Sequence, residues 1–190
     1  PARQSTHDQS IEVYTGEYML NNLYNQSWTP KNVIAWNKLY KRSVWSNLRY
    51  TVGVLHEDEY IIHELYANIK RLAYTREPLY FYRQREASIT KEISPRRIND
   101  VMAVFELREF FFKAKGLSHL ITPNYHAKLL NIALLAITYE DDRARRLLKK
   151  HLSSVLLLKD ISARVRLSCF FVAFVPNLYW KIKNIKKLVL

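Results

Sequence analysis

The spacing of apolar positions changes character near residue 90. Before it, short mixed segments alternate with punctuation. Residues 11–27 carry Ile11, Val13, Tyr18, Met19, Leu20, Leu23 and Tyr24, which predicts a helix ending near Gln26-Ser27, before the Thr29-Pro30 break. Residues 33–45 are mixed and fit strand, helix or both, and residues 47–55 read as irregular or extended, with Gly53 as punctuation. His56-Glu57-Asp58-Glu59 then precede Ile61, Ile62, Leu65, Tyr66 and Ile69, the one-sided spacing of a helix. Residues 72–75 and 78–84 are aromatic-rich and predict two short strands.

After residue 93 every segment predicts helix. Ser94-Pro95 is a start signal ahead of the stripe Ile98, Val101, Met102, Phe105 and Phe112, and Gly116 is a stop signal. Thr122-Pro123 starts a second helix, and Glu140-Asp141-Asp142 a third. Asp160 is a candidate cap for a fourth, which Pro176 ends or kinks. The natural boundary therefore falls near residues 90–95, giving segments 1–92 and 93–190.

Composition narrows the chemistry. Only 3 of the 190 residues are glycine, and no Gly-rich phosphate loop is present, so any nucleotide site here is incomplete or differently built. The chain begins Pro-Ala-Arg-Gln and carries no apolar signal sequence, as expected of a piece of a longer polypeptide. Its single cysteine, Cys169, lies in an apolar run and reads as a small buried hydrophobe. The net charge of +13 is concentrated late. Residues 1–90 hold 11 basic and 9 acidic side chains, whereas 91–190 hold 19 and 8. A basic tail seeks phosphates, either of nucleic acid or of anionic lipid.

Three segments carry candidate chemistry. In His56-Glu57-Asp58-Glu59 three carboxylates fall in a first helical turn, where the helix dipole favours negative charge. An ionised Asp there can take the proton of an attacking sugar hydroxyl, although such acids also serve simply to stabilise a helix. In Tyr80-Phe81-Tyr82-Arg83-Gln84-Arg85, the two arginines lie two apart at an expected strand end and should point the same way. Guanidinium forks fit a leaving diphosphate, and a solvated strand edge is the plainer reading. Trp36-Asn37-Lys38-Leu39-Tyr40-Lys41-Arg42 offers an aromatic sugar platform, or else a core tryptophan.

In this order and spacing, the Trp-Asn-Lys-Leu-Tyr-Lys-Arg, His-Glu-Asp-Glu and Glu77-to-Ile89 segments resemble the end of the catalytic domain of family 2 glycosyltransferases. The resemblance covers roughly residues 30–92. It implies an inverting bacterial enzyme of cell-surface polysaccharide synthesis, such as capsule, with the GT-A fold. The implied fold class is an α/β fragment, mostly helical: the acceptor-side half of a GT-A domain with two or so short strands, followed by a C-terminal helical bundle extension. Asp58 matches the family's general base, with His56 and Glu57 orienting it or the substrates. Arg83, Arg85 and Ser88 match its donor-diphosphate element, and Trp36 and Lys38 border the acceptor side. The family's nucleotide-binding half, with its Asp-Asp-Gly-Ser and Asp-x-Asp motifs, has no counterpart here. A divalent metal (Mn or Mg) is expected in that missing half and none in this chain, which alone should be inert. The implied partners are a nucleoside-diphosphate sugar, uridine-linked by expectation, a saccharide or lipid-linked acceptor, and the missing N-terminal half.

Residues 164–187 add a membrane expectation. An apolar centre from Leu167 to Trp180 holds Pro176 and is shorter than the roughly 20 residues a spanning helix needs. Arg164 and Arg166 flank it on one side and Lys181, Lys183, Lys186 and Lys187 on the other, the pattern of a segment lying in an anionic membrane interface. Phe170, Phe171, Phe174 and Leu178 would otherwise pack on neighbouring helices. The expected location is cytoplasmic, peripheral on the inner face of the cell membrane. The alternative class is a non-catalytic helical module that binds nucleic acid or a protein partner through the basic tail.

Overall fold

The computed structural model describes residues 11–25, 32–81, 83 and 95–188. The protein is mostly helical, with 63% of residues in helix and a two-stranded antiparallel sheet. It divides into two compact units, Pro1–Glu92 and Ile93–Leu190.

In the first unit, strand β1 (Glu12–Tyr14) pairs antiparallel with β2 (Leu72–Tyr74), Val13 lying opposite Ala73. The expected single helix over 11–27 is therefore a strand followed by a short helix. Glu12-Val13-Tyr14 finds a partner strand, and the Thr15 side chain then accepts from the Tyr18 amide and starts α1 (Gly16–Asn21). Arg76 donates twice to Glu12 from just beyond β2, which fastens the far end of the ladder. Helix α2 (Glu57–Asn68) buries Ile61, Ile62, Leu65 and Tyr66 against Met19, Leu20 and Leu23.

The two helices meet backbone to backbone. A Cβ on Gly16 would run into the carbonyl oxygens of Tyr66 and Ile69, so only glycine lets α1 approach this closely. At the buried face of α2, the Tyr66 hydroxyl donates to the Asn32 carbonyl at 2.5 Å and anchors the segment that follows. Residues 33–45 settle as turns ending in a 3₁₀ turn, Arg42–Trp45. The second expected strand, 78–84, is absent over 78–81 and at 83. Pro78 has no amide to donate, and β1 is only three residues long and already paired. Tyr82 and Gln84 lie outside the described residues, as do Arg85 and Ser88.

The second unit is a helical bundle of α3 (Pro95–Ala114), α4 (Ile121–Thr138), α5 (Asp142–Leu156), α6 (Ala163–Phe174) and α7 (Pro176–Leu188). Ile98, Met102, Phe105 and Phe112 form the buried stripe of α3. Gly116, at φ 69°, closes that helix: its amide donates to the Lys113 carbonyl and the Leu117 amide to that of Phe112, a Schellman stop. Helix α4 is central, with Ile132, Ala133 and Ala136 buried and Asn124 donating to the Phe105 carbonyl of α3. Asp141 caps α5 through the amides of Arg143 and Ala144. The cap of α6 is Ser162, not Asp160, because it is the residue immediately outside the first turn and its hydroxyl reaches the Val165 amide. Cys169 is buried, and burial pushes its thiol up to about 11.

Pro176 stops α6 and opens α7, turning the apolar centre of the tail into an elbow. Among the described residues no helix is long and apolar enough to cross a membrane. Val172, Ala173 and Trp180 point into the bundle, whereas Leu167, Phe170, Phe174, Val175, Leu178 and Ile182 stay 41% to 58% exposed. Packing on neighbouring helices therefore accounts for Phe171, which is half-buried, but not for Phe170, Phe174 or Leu178. The tail's basic residues also differ among themselves. Lys183 reaches back to the Ile137 carbonyl at the end of α4 at 2.5 Å, and the Tyr179 hydroxyl donates to the same oxygen at 3.1 Å.

The close approach at Gly16 sets a stability test. Gly16→Ala should lower the unfolding free energy by about 1–3 kcal/mol, the range for forcing an extra methyl into packed structure. A shifted denaturation midpoint at unchanged slope would confirm it, and a wild-type midpoint would refute the backbone contact.

Candidate functional site at the start of helix α2

The site forms where an irregular loop turns into α2. Gly53 takes φ 80°, and His56, next to the first helical residue, takes φ 63° and ψ 45°. His56 is the one non-glycine in the left-handed region among the described residues, a placement that costs roughly 1–2 kcal/mol. That turn directs the chain so that Glu57, Asp58 and Glu59 occupy the first turn of α2. Glu57 is exposed, and Asp58 is half-buried. The Asp58 carboxylate accepts from the Glu59 amide at 2.9 Å and forms no ion pair among the described residues.

Burial dominates the electrostatics of Asp58. It pushes the carboxyl above the usual aspartate range, against the downward pull of the Glu59 amide, and the neighbouring Glu59 and Glu57 charges push the same way as burial. An aspartate held at a helix start by dipole and amides alone would have moved down. A raised value makes this carboxylate a stronger base once it is ionised.

Three side chains from residues 38–50 share its field. Burial lowers the Lys38 ammonium to about 8, while the Asp58 charge acts to raise it. The ammonium donates to the Ile34 carbonyl at 2.5 Å and the Asn37 side chain at 2.8 Å. Burial pushes the Tyr40 and Tyr50 phenols up, and the Asp58 charge adds to the effect on both. Trp45 packs against both rings, edge-on to Tyr40 at 5.2 Å and tilted to Tyr50 at 4.9 Å. Neither tyrosine stands out from spacing. Tyr40 is visible only as part of the Trp-Asn-Lys-Leu-Tyr segment, and Tyr50 sits in a stretch that reads as irregular.

The expected residues come together unevenly. Trp36, 40% exposed, stacks on Tyr80 at 4.7 Å, which brings the first segment against the third. The Asp58 charge acts on Lys38, which links the first segment to the acidic turn electrostatically. Arg83 is exposed and lies in no strand, and Arg85, expected to point the same way, lies outside the described residues. Among the described residues, no three His, Cys, Asp or Glu side chains gather as a metal site requires.

Similarity to known proteins is confined to part of the chain. Over 82 residues, 42% of the chain, the sequence is 32% identical to "Glycosyltransferase GlyA" of Streptococcus pneumoniae serotype 4. The matched region makes up 12% of that protein, so the chain spans a small part of its length. No protein-family model and no solved structure matches the chain.

The raised Asp58 carboxyl fixes the sign of a pH effect. Its folded-state value lies above its unfolded value, so the native state favours the protonated form. The folded protein therefore bears a penalty at neutral pH that vanishes as pH falls through that raised value. Asp58→Asn keeps the acceptor for the Glu59 amide and removes the charge. It should raise the melting temperature at pH 7, with the gain shrinking in acid. Thermal scans across that range check it, and a lowered melting temperature at pH 7 would overturn the burial argument.

Proposed function

We propose that the polypeptide carrying this chain is an inverting family 2 glycosyltransferase of GT-A fold, and that residues 1–92 supply its acceptor side. The observation that carries this reading is the half-buried Asp58 carboxylate at the head of α2, free of an ion pair among the described residues, whose charge acts on Lys38, Tyr40 and Tyr50. The partial similarity to a glycosyltransferase supports the same reading.

In this mechanism Asp58 takes the proton of the acceptor hydroxyl while its oxygen attacks the anomeric carbon of the donor sugar. The bond from that carbon to the nucleoside diphosphate breaks on the opposite face, and the configuration inverts. Asp58 must be ionised to act, and its raised proton affinity favours taking the proton as the new bond forms. His56 and Glu57 hold the turn that aims it. Arg83, Arg85 and Ser88 face the departing diphosphate, where guanidinium groups neutralise developing charge. Trp36 and Lys38 border the acceptor. The nucleoside-diphosphate sugar, uridine-linked, and a divalent Mn or Mg belong with sequence outside this chain, which on its own turns nothing over.

The test is nucleoside-diphosphate release by the complete polypeptide from a panel of uridine-linked sugars. Asp58→Asn should lower kcat by about 10²–10⁴-fold, the usual contribution of a positioned base, with the donor KM little changed. Turnover that survives the substitution would end the assignment of Asp58. Turnover by residues 1–190 alone would end the division of labour.

The acceptor side of this reading includes an anionic membrane surface, contacted by residues 164–187 from the cytoplasmic face. It is supported by the exposed apolar patch at the α6–α7 elbow, bordered by the exposed Arg164 and Lys181. A basic rim around apolar side chains suits a surface that offers both acyl chains and anionic headgroups. The chain should float with phosphatidylglycerol-containing vesicles, and Phe170→Ser with Phe174→Ser should abolish flotation without changing the melting temperature. Equal binding to purely zwitterionic vesicles, or retention by the double variant, would refute this docking mode.

A further inference from the structure

An open hollow of about 640 Å³ is lined by Arg42, Ser43, Trp45, Ser46, Arg49 and Tyr50, the last of which lies in the field of the Asp58 charge. Its volume is that of a small-molecule site. Trp45 and Tyr50 give it aromatic walls, braced by Tyr40 behind Trp45. Aromatic faces of this kind take the C–H face of a sugar ring. The Ser46 hydroxyl donates to the Ser43 carbonyl and holds the turn closed.

Two guanidiniums stand at this hollow. Arg49 is fixed by its own loop: one terminal nitrogen donates to the Trp45 and Leu48 carbonyls, which leaves the rest of the fork available. Arg42 is exposed at the start of the 3₁₀ turn. A pair of forks over an aromatic wall matches a single phosphate or carboxylate on a sugar.

We infer that the hollow at residues 42–50 binds an anionic saccharide, a sugar phosphate or a uronate, with its ring on Trp45 and Tyr50 and its charged group on Arg42 and Arg49. Calling this saccharide the acceptor rests on the transferase reading, since Tyr50 links the hollow to the Asp58 carboxylate. The binding itself does not depend on that reading.

The experiment is equilibrium binding to the full 190-residue chain, with no donor present. The probes are glucose 1-phosphate, glucuronate, methyl glucoside and inorganic phosphate. One or both of the anionic sugars should bind saturably, and whichever binds names the charged group as phosphate or carboxylate. Methyl glucoside and inorganic phosphate should each bind at least about tenfold more weakly, because each satisfies half of the site. Arg42→Gln should weaken the anionic sugar about tenfold or more with the melting temperature unchanged. Arg49→Lys, which keeps the charge and a donor for the carbonyls but loses the fork, should weaken it several-fold. Methyl glucoside binding as tightly as the anionic sugars, phosphate alone binding as tightly, or indifference to Arg42→Gln would each overturn the proposal. No saccharide binding by a chain whose complete polypeptide shows Asp58-dependent turnover would sink this subsite alone. Saccharide binding without such turnover would sink the transferase reading alone.

Discussion

The absence of a side chain at Gly16 sets the geometry of the first unit. Helix α1 is only six residues long, too short to hold itself, and it is kept by the carbonyl edge of α2 at Tyr66 and Ile69. That contact fixes the trailing end of α2. Tyr66, one turn from that end, reaches the Asn32 carbonyl and fastens the segment that leads to Lys38 and Tyr40. The leading end of α2 is then held by packing rather than by caps: His56 makes no side-chain hydrogen bond into the helix, and Asp58 accepts only from the adjacent amide. The Asp58 carboxylate can persist half-buried there because the rest of the helix is clamped from behind.

The same cluster is a place where local and global preferences conflict. A first helical turn favours ionised acids, and partial burial disfavours them. Burial wins at Asp58, and the backbone at His56 is strained in the adjoining position. Local rules broken in this way carry a cost in stability.

How much of this was legible depended on whether the signal was local. The helical unit was readable because its stops and starts are short-range: Gly116, Asp141 and Pro176 act within a turn of where they sit. Ser162 was missed in favour of Asp160 because both are polar cap residues two positions apart, and only the register of α6 separates them. The first unit was less readable. Glu12-Val13-Tyr14 resembles the opening of a helix until its partner, some sixty residues on, is known. Residues 78–81 look like strand and have none to join. The acids at 57–59 were visible as a group. The tyrosines flanking them were not, because the loop that delivers Tyr40 and Tyr50 has no periodicity, and its path is set by Tyr66 from within a distant helix.

The clasp between α7 and α4 also limits how the tail can behave. Lys183 and Tyr179 together occupy the carbonyl end of α4, where an unpaired oxygen and the negative end of a helix dipole would otherwise face each other. Lifting α7 away would uncover both at once, so the elbow at Pro176 works as a fixed keel of the bundle and not as a hinged flap. The helical unit therefore presents the elbow's aromatic edge as a rigid face.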